Sequence, residues 1–163
     1  MNLKQALALA KSKVQSKIDD TLSNEVFKAV KEEESAAIDS EVYGVYTPKR
    51  YRNRGLGGGM ADPSNIVISG GSASNGKLTV VNITEPNPTG CEDNWRVTTD
   101  KNLPELIEFG QGYKSMGYDF PHNGLRYMEP RPFTKKTIEN LKSNKAHVEA
   151  MKNGLKKRGL NIK

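Results

Sequence analysis

The chain is poor in the residues that usually carry compact chemistry. Cys91 is its one cysteine, so neither an intramolecular disulfide nor a cysteine-rich zinc site can be built. Only two histidines are present. His122 sits in Pro121-His122-Asn123-Gly124, a turn by composition, and His147 stands between Ala146 and Val148. A zinc site needs about four Cys, His or acidic ligands at suitable spacing. No such cluster occurs, and neither a metal nor a cofactor is expected. Cys91 and His122 lack the surroundings of a nucleophile–base pair, and a lone cysteine more often packs as a small hydrophobe. No catalytic residue is assigned and no enzyme activity is expected.

Long apolar runs are missing too. Nothing approaches the roughly 20 apolar residues that span a bilayer, so no membrane partner is expected. Lys11, Lys13 and Lys17 interrupt the N-terminal segment where a secretory signal would need an apolar run. An intracellular setting is the expectation, and the Asn82-Ile83-Thr84 glycosylation sequon reads as a chance match. The apolar share is 35% without glycine. That is below the usual level of about 45–50%, which counts glycine, so much of the chain should be surface, arm or interface.

Acidic charge is scarce in two places. Residues 47–54 hold Lys49, Arg50, Arg52 and Arg54 with no acid, and residues 131–163 hold ten Lys or Arg against two Glu. Residues 1–34 balance at six against six. The net charge of +6 is thus local. It suits phosphate, anionic lipid or acidic protein without choosing among them.

What the chain does have is a long basic, glycine-rich segment, Val45 to Asp62. Tyr46 and Tyr51 interleave with its cations, and Gly55-Leu56-Gly57-Gly58-Gly59 follows. So polar a segment buries too little to offset its ordering entropy. It reads as a long flexible loop on a β-scaffold. It lacks the Gly-Lys-Ser/Thr of a Walker loop, and the helix start of a dinucleotide loop is replaced by Met60-Ala61-Asp62-Pro63 and a strand. Phosphate-loop readings therefore fail. Stacking tyrosines and cations leave sequence-independent contact with DNA open, without any base-reading motif.

Around this loop the pattern is α+β. Leu3, Leu7, Val14, Ile18, Leu22, Val26 and Val30 form an apolar stripe on one long helix, or on two with a restart at Ser23. The stripe is expected to dock on the chain's own sheet, with a subunit contact as the sharper alternative. Glu32-Glu33-Glu34 reads as a solvated face or helix end. Val42–Tyr46 is a strand by propensity. Residues 65–84 read as a β-hairpin around the 70–76 turn, its second strand central or covered on both faces. Leu103–Phe109 is a short helix ended by Gly110, with Asn102 as its cap. Thr134 caps a last helix over 135–158, closed by Gly159 in a Schellman stop. The expectation is one domain over 1–163: a helical region 1–40, a β-rich region 41–130 with loops 47–64 and 85–99, and a C-terminal helix within 131–160. Trp95, Phe109 and Phe133 are the expected packing anchors.

Several short segments resemble a known family, in order. They are Val42-Tyr43-Gly44-Val45-Tyr46, Tyr51-Arg52-Asn53-Arg54-Gly55-Leu56, Asp62-Pro63-Ser64-Asn65-Ile66, and Leu78-Thr79-Val80-Val81-Asn82. The helix ending Ile107-Glu108-Phe109-Gly110 and the helix start Arg131-Pro132-Phe133 complete the series and are its most specific parts. The chain resembles the neck and tail-completion proteins that join head to tail in tailed bacteriophages. The resemblance implies a structural virion protein, assembled in the host cytoplasm as a homo-oligomeric ring of hexameric type. It implies connector or head-closure proteins on one side and tail-tube or terminator proteins on the other, with DNA passing through the lumen. Completion, terminator and stopper types all remain open. Tyr46, Lys49, Arg50, Tyr51, Arg52 and Arg54 would then form an arm facing a neighbouring subunit or the DNA. The alternative is a sequence-independent nucleic-acid-binding accessory protein.

Overall fold

A computed structural model describes residues 2–45, 59–84, 103–110, 113–114, 125–126, 129–160 and 162. Its backbone is one helical rod against which a small sheet and three further helices pack. The rod comprises α1 (Leu3–Thr21), a π-helical turn (Leu22–Val26), α2 (Phe27–Ile38) and a second π-helical turn (Asp39–Tyr43). At about 1.5 Å per residue it is roughly 60 Å long. Asn2 starts it with a reciprocal capping box, its Oδ1 accepting from Gln5 N while Gln5 Oε1 accepts from Asn2 N. The restart open at Ser23 is a widened turn inside a continuous helix. There Thr21 Oγ1 donates to Lys17 O at 2.7 Å and Asn24 Nδ2 donates to Asp20 O at 2.7 Å. Side chains that bond back to carbonyls one turn earlier compete with the main-chain ladder and locally widen or bend it.

The strand expected over Val42–Tyr46 is instead the rod's last turn as far as Tyr43, followed by a turn at Gly44 and Val45. Tyr46 lies outside the described residues. Helical spacing put Ile38 and Val42 on one buried face (0% and 1% exposed), and that burial overrode local β propensity.

Strands β1 (Ile66–Ile68) and β2 (Val80–Asn82) pair antiparallel with Val67 opposite Val81. The turn between them uses positive φ at Gly70, Gly71, Asn75 and Gly76. Among the described residues β2 pairs on one side only, so it is an edge of a two-stranded sheet. The second pair is β3 (Tyr113–Lys114) with β4 (Leu125–Arg126). The result is α+β but mostly helical.

Helix α3 (Leu103–Phe109) stands over the expected residues, with Gly110 at φ 64° ending it, and its expected cap Asn102 lies outside the described residues. The single C-terminal helix expected from 135 is two: α4 (Phe133–Asn144) and α5 (Ala146–Lys157). Lys145 breaks the run in the left-handed region at φ 56°. Asn144 stabilises the break, since its Oδ1 accepts from Ala146 N and its Nδ2 donates to Glu33 Oε1. Thr134 is not the cap; its N–H is satisfied by Glu108 Oε2 at 2.9 Å. The Schellman stop is present: Gly159 has φ 74°, Gly159 N donates to Lys156 O and Leu160 N to Leu155 O.

The core lies where the end of α2, the Met60–Ala61 turn, α3 and the start of α4 meet. It contains Ala37, Ile38, Val42, Met60, Ala61, Ile107 and Phe133. Phe133, expected as an anchor, is 3% exposed here, whereas Phe109 points outward at 61% exposure. On a seven-residue helix Ile107 faces the core, so a side chain two residues on is carried to the other side. Trp95 lies outside the described residues.

Candidate assembly surface

The basic loop's tip, including Tyr46, Lys49, Arg50, Tyr51, Arg52 and Arg54, falls outside the described residues, as do Cys91 and His122. Its two roots are described and are fixed together. Met60 N donates to Tyr43 Oη at 3.0 Å, with Val42 and Met60 side by side in the core. Ser35 Oγ donates to Ala61 O and Asn82 Nδ2 to Met60 O. Asp62 Oδ1 accepts from Ser64 N and Ser64 Oγ, turning the chain into β1. The loop therefore springs from the buried core around Val42, Met60 and Ala61.

The two most specific pieces of the phage resemblance also meet. Arg131 N donates to Ile107 O at 2.9 Å, and Glu108 Oε2 caps α4 through Thr134 N. Arg131 Nη1 donates to Val42 O at 3.2 Å, tying the junction to the end of the rod. A carboxylate at a helix N-terminus satisfies free N–H groups and favours the dipole. The Ile-Glu-x-Gly helix end and the Arg-Pro-Phe helix start thus form a single joint.

The rod's first turns carry the most unusual surface. Residues 2–14 are all exposed except half-buried Ala6. Leu3 is 87%, Leu7 55% and Val14 42% exposed on one face, with Leu9 at 47% on the opposite side. The stripe was expected to dock on the sheet. Instead α1 meets α5, and sheet contacts come from α2. The covered part begins at Thr21, 0% exposed, which lies against Gly154 of α5. Nearby, Arg158 Nη1 donates to Glu25 Oε2 at 2.9 Å and Arg158 Nη2 donates to Asp20 O at 3.3 Å. That hydrogen bond to Arg158 holds the Glu25 carboxyl below the usual glutamate range. On the rod's other side the 70–77 turn is held by Ala73 N donating to Ser23 Oγ and Gly76 N to Asp19 Oδ1. All these supports act from about residue 15 onward.

The signal for a free arm was legible but ambiguous. Leu3, Leu7, Ala10 and Val14 are spaced 4, 3 and 4, a narrow coiled-coil seam and not the wider stripe of a core helix. Sequence reasoning missed two other features. Glu34, within the acidic run taken as solvated, is half-buried, and desolvation raises its carboxyl above the usual range. A side-chain hydrogen bond with Asn82 acts in the opposite direction, and Glu108 adds to the rise. His147 has a buried Nδ1 without a hydrogen-bond partner among the described residues, beside an apolar groove of about 320 Å³ between the rod and α5. Among the described residues no three His, Cys, Asp or Glu side chains gather as a metal site requires, and no helix is long and apolar enough to cross a membrane.

Over residues 2–157 the chain matches the YomN family, and it belongs to that family. No curated protein and no solved structure matches it.

Proposed function

We propose that this YomN-family chain is a structural virion protein of a tailed phage neck: a ring subunit that joins the head connector to the tail and lets DNA pass. It performs no turnover. The observation that carries the reading is the projecting end of α1. Its Leu3, Leu7 and Val14 are held away from the chain's own body. Burying such a side chain is worth roughly 1.5–3 kcal/mol, so a partner surface is the natural destination for this stripe. The joint between Ile107-Glu108 and Arg131-Phe133 supports the neck resemblance, because its most specific segments build one structural feature. The basic loop rises from a rigid root, as an arm reaching a neighbouring subunit would need. Copies related by rotation close a ring through heterologous contacts.

Deleting the gene from its phage tests the reading. Filled heads and separate tails that fail to join are expected. Complete infectious particles from the deletion would overturn it.

A further inference from the structure

The first four turns of α1 carry a charge pattern that bears on what covers them. In heptad notation Leu7 and Val14 fall at a, and Leu3 and Ala10 at d. Lys4 and Lys11 then fall at e and Lys13 at g, flanking the seam on both sides, with Lys17 at the next d position. No acid occurs before Asp19. Among the described residues none of these four lysines has an ion-pair partner. The seam does not stop at Val14. Its next a position is Thr21, which is already covered by α5 at Gly154. The exposed stretch therefore continues a face on which a helix already packs.

From this we infer that residues 3–17 form one strand of a heteromeric helical pairing, and that the partner is a helix of a different protein with apolar a and d positions and acidic flanks. This rests on reading α1 as an assembly arm and names the chemistry of what it meets. Residues at e and g select partner and orientation in paired helices. A second copy of the same segment is disfavoured. In the antiparallel arrangement Lys4 and Lys11 oppose their equivalents, and in the parallel one Lys17 faces Lys17 across the seam. In neither arrangement does an acid meet a lysine, and like charges so placed cost energy. A lipid surface suits a wide apolar face with Trp, Phe and Leu, whereas this one is a narrow strip of Leu, Leu, Ala and Val. A lysine stem can cover apolar surface while its ammonium stays in water, so lysines at e and g suit carboxylates on either side of a groove. The mode is helix-in-groove recognition with specificity set by charge.

The test uses the full-length protein and two fluorescent synthetic helices, both with Leu at a and d, one with Glu and one with Lys at e and g. Anisotropy should show binding to the Glu helix at least about tenfold tighter than to the Lys helix, with the difference shrinking in high salt. The triple reversal Lys4→Glu, Lys11→Glu, Lys13→Glu should invert the preference. Leu7→Asp should abolish binding of either helix, with an unchanged circular dichroism spectrum showing that the exposed substitution leaves the fold intact. Equal affinity for both helices, or none for either, overturns the inference. So does a dimer by light scattering that Leu7→Asp dissolves, or binding confined to vesicles of anionic phosphatidylglycerol. Failure here with a deletion that still blocks head–tail joining sinks the partner chemistry alone. A correct charge swap with a harmless deletion sinks the neck reading alone.

Discussion

At the residue scale, two glutamates on the same rod respond to opposite forces. Glu25 is stabilised as an anion by Arg158, so its folded value lies below the ordinary 4.5. Its contribution is present above that ordinary value and is lost as pH falls through the lower folded one. Glu34 is raised above 4.5 by burial. For it the folded state is favoured below the ordinary value, and the advantage is lost as pH rises through the higher folded one. Glu25→Gln should therefore cost about 1 kcal/mol at pH 7, the scale of a partly exposed charge-assisted pair, and cost progressively less below pH 4.5. Glu34→Gln should be neutral or stabilising at pH 7 and lose that advantage toward pH 4. Urea denaturation from about pH 3 to 8 measures both. Parallel pH profiles for the two variants would contradict these environments.

At the element scale, the rod and α5 cross at Gly154. A methyl group there would collide with Thr21 Cγ2 and press on Glu25 Oε2. In an open helix Gly→Ala gains roughly 1 kcal/mol. Here overpacking of about 1–3 kcal/mol opposes it, so Gly154→Ala should lower Tm. A higher Tm would mean that the crossing is loose. The same crossing explains which elements could be foreseen. α3, the Gly159 stop and the antiparallel pairing of residues 66–68 with 80–82 follow from local chemistry: a terminating Gly110, a left-handed glycine, a flexible turn. The helical Val42 and the break at Lys145 do not. Val42 has strand propensity, yet packs one helical turn beyond Ile38 in the core. Lys145 carries no breaking signal, yet the left-handed turn there lets α4 pack on α2 while α5 packs on the widened turn at Leu22–Val26. Both are decided by contacts distant in sequence. Phe109 fails as an anchor for a related reason, since on so short a helix one face is buried and its aromatic is on the other.

At the scale of the molecule, support is distributed unevenly along the rod. Its C-terminal half is buried by the sheet, α3, α4 and α5, while its first turns stand clear with an apolar seam between lysines. The arm was partly visible in the sequence, because the apolar stripe and the lysines are plain there. What the stripe faces depends on where α5 crosses the rod, which no local pattern records. The opposite root of the domain, where Tyr43 meets Met60, launches the basic loop. One measurement tests the neck assignment most directly, namely a cryo-electron microscopy reconstruction of the particle's head–tail junction. The expected result is a ring of copies of this chain, each with residues 3–14 of α1 lying against a helix of a different protein. A junction without this chain would contradict the neck assignment, and a ring in which those turns of α1 remain in solvent would contradict the helical pairing alone.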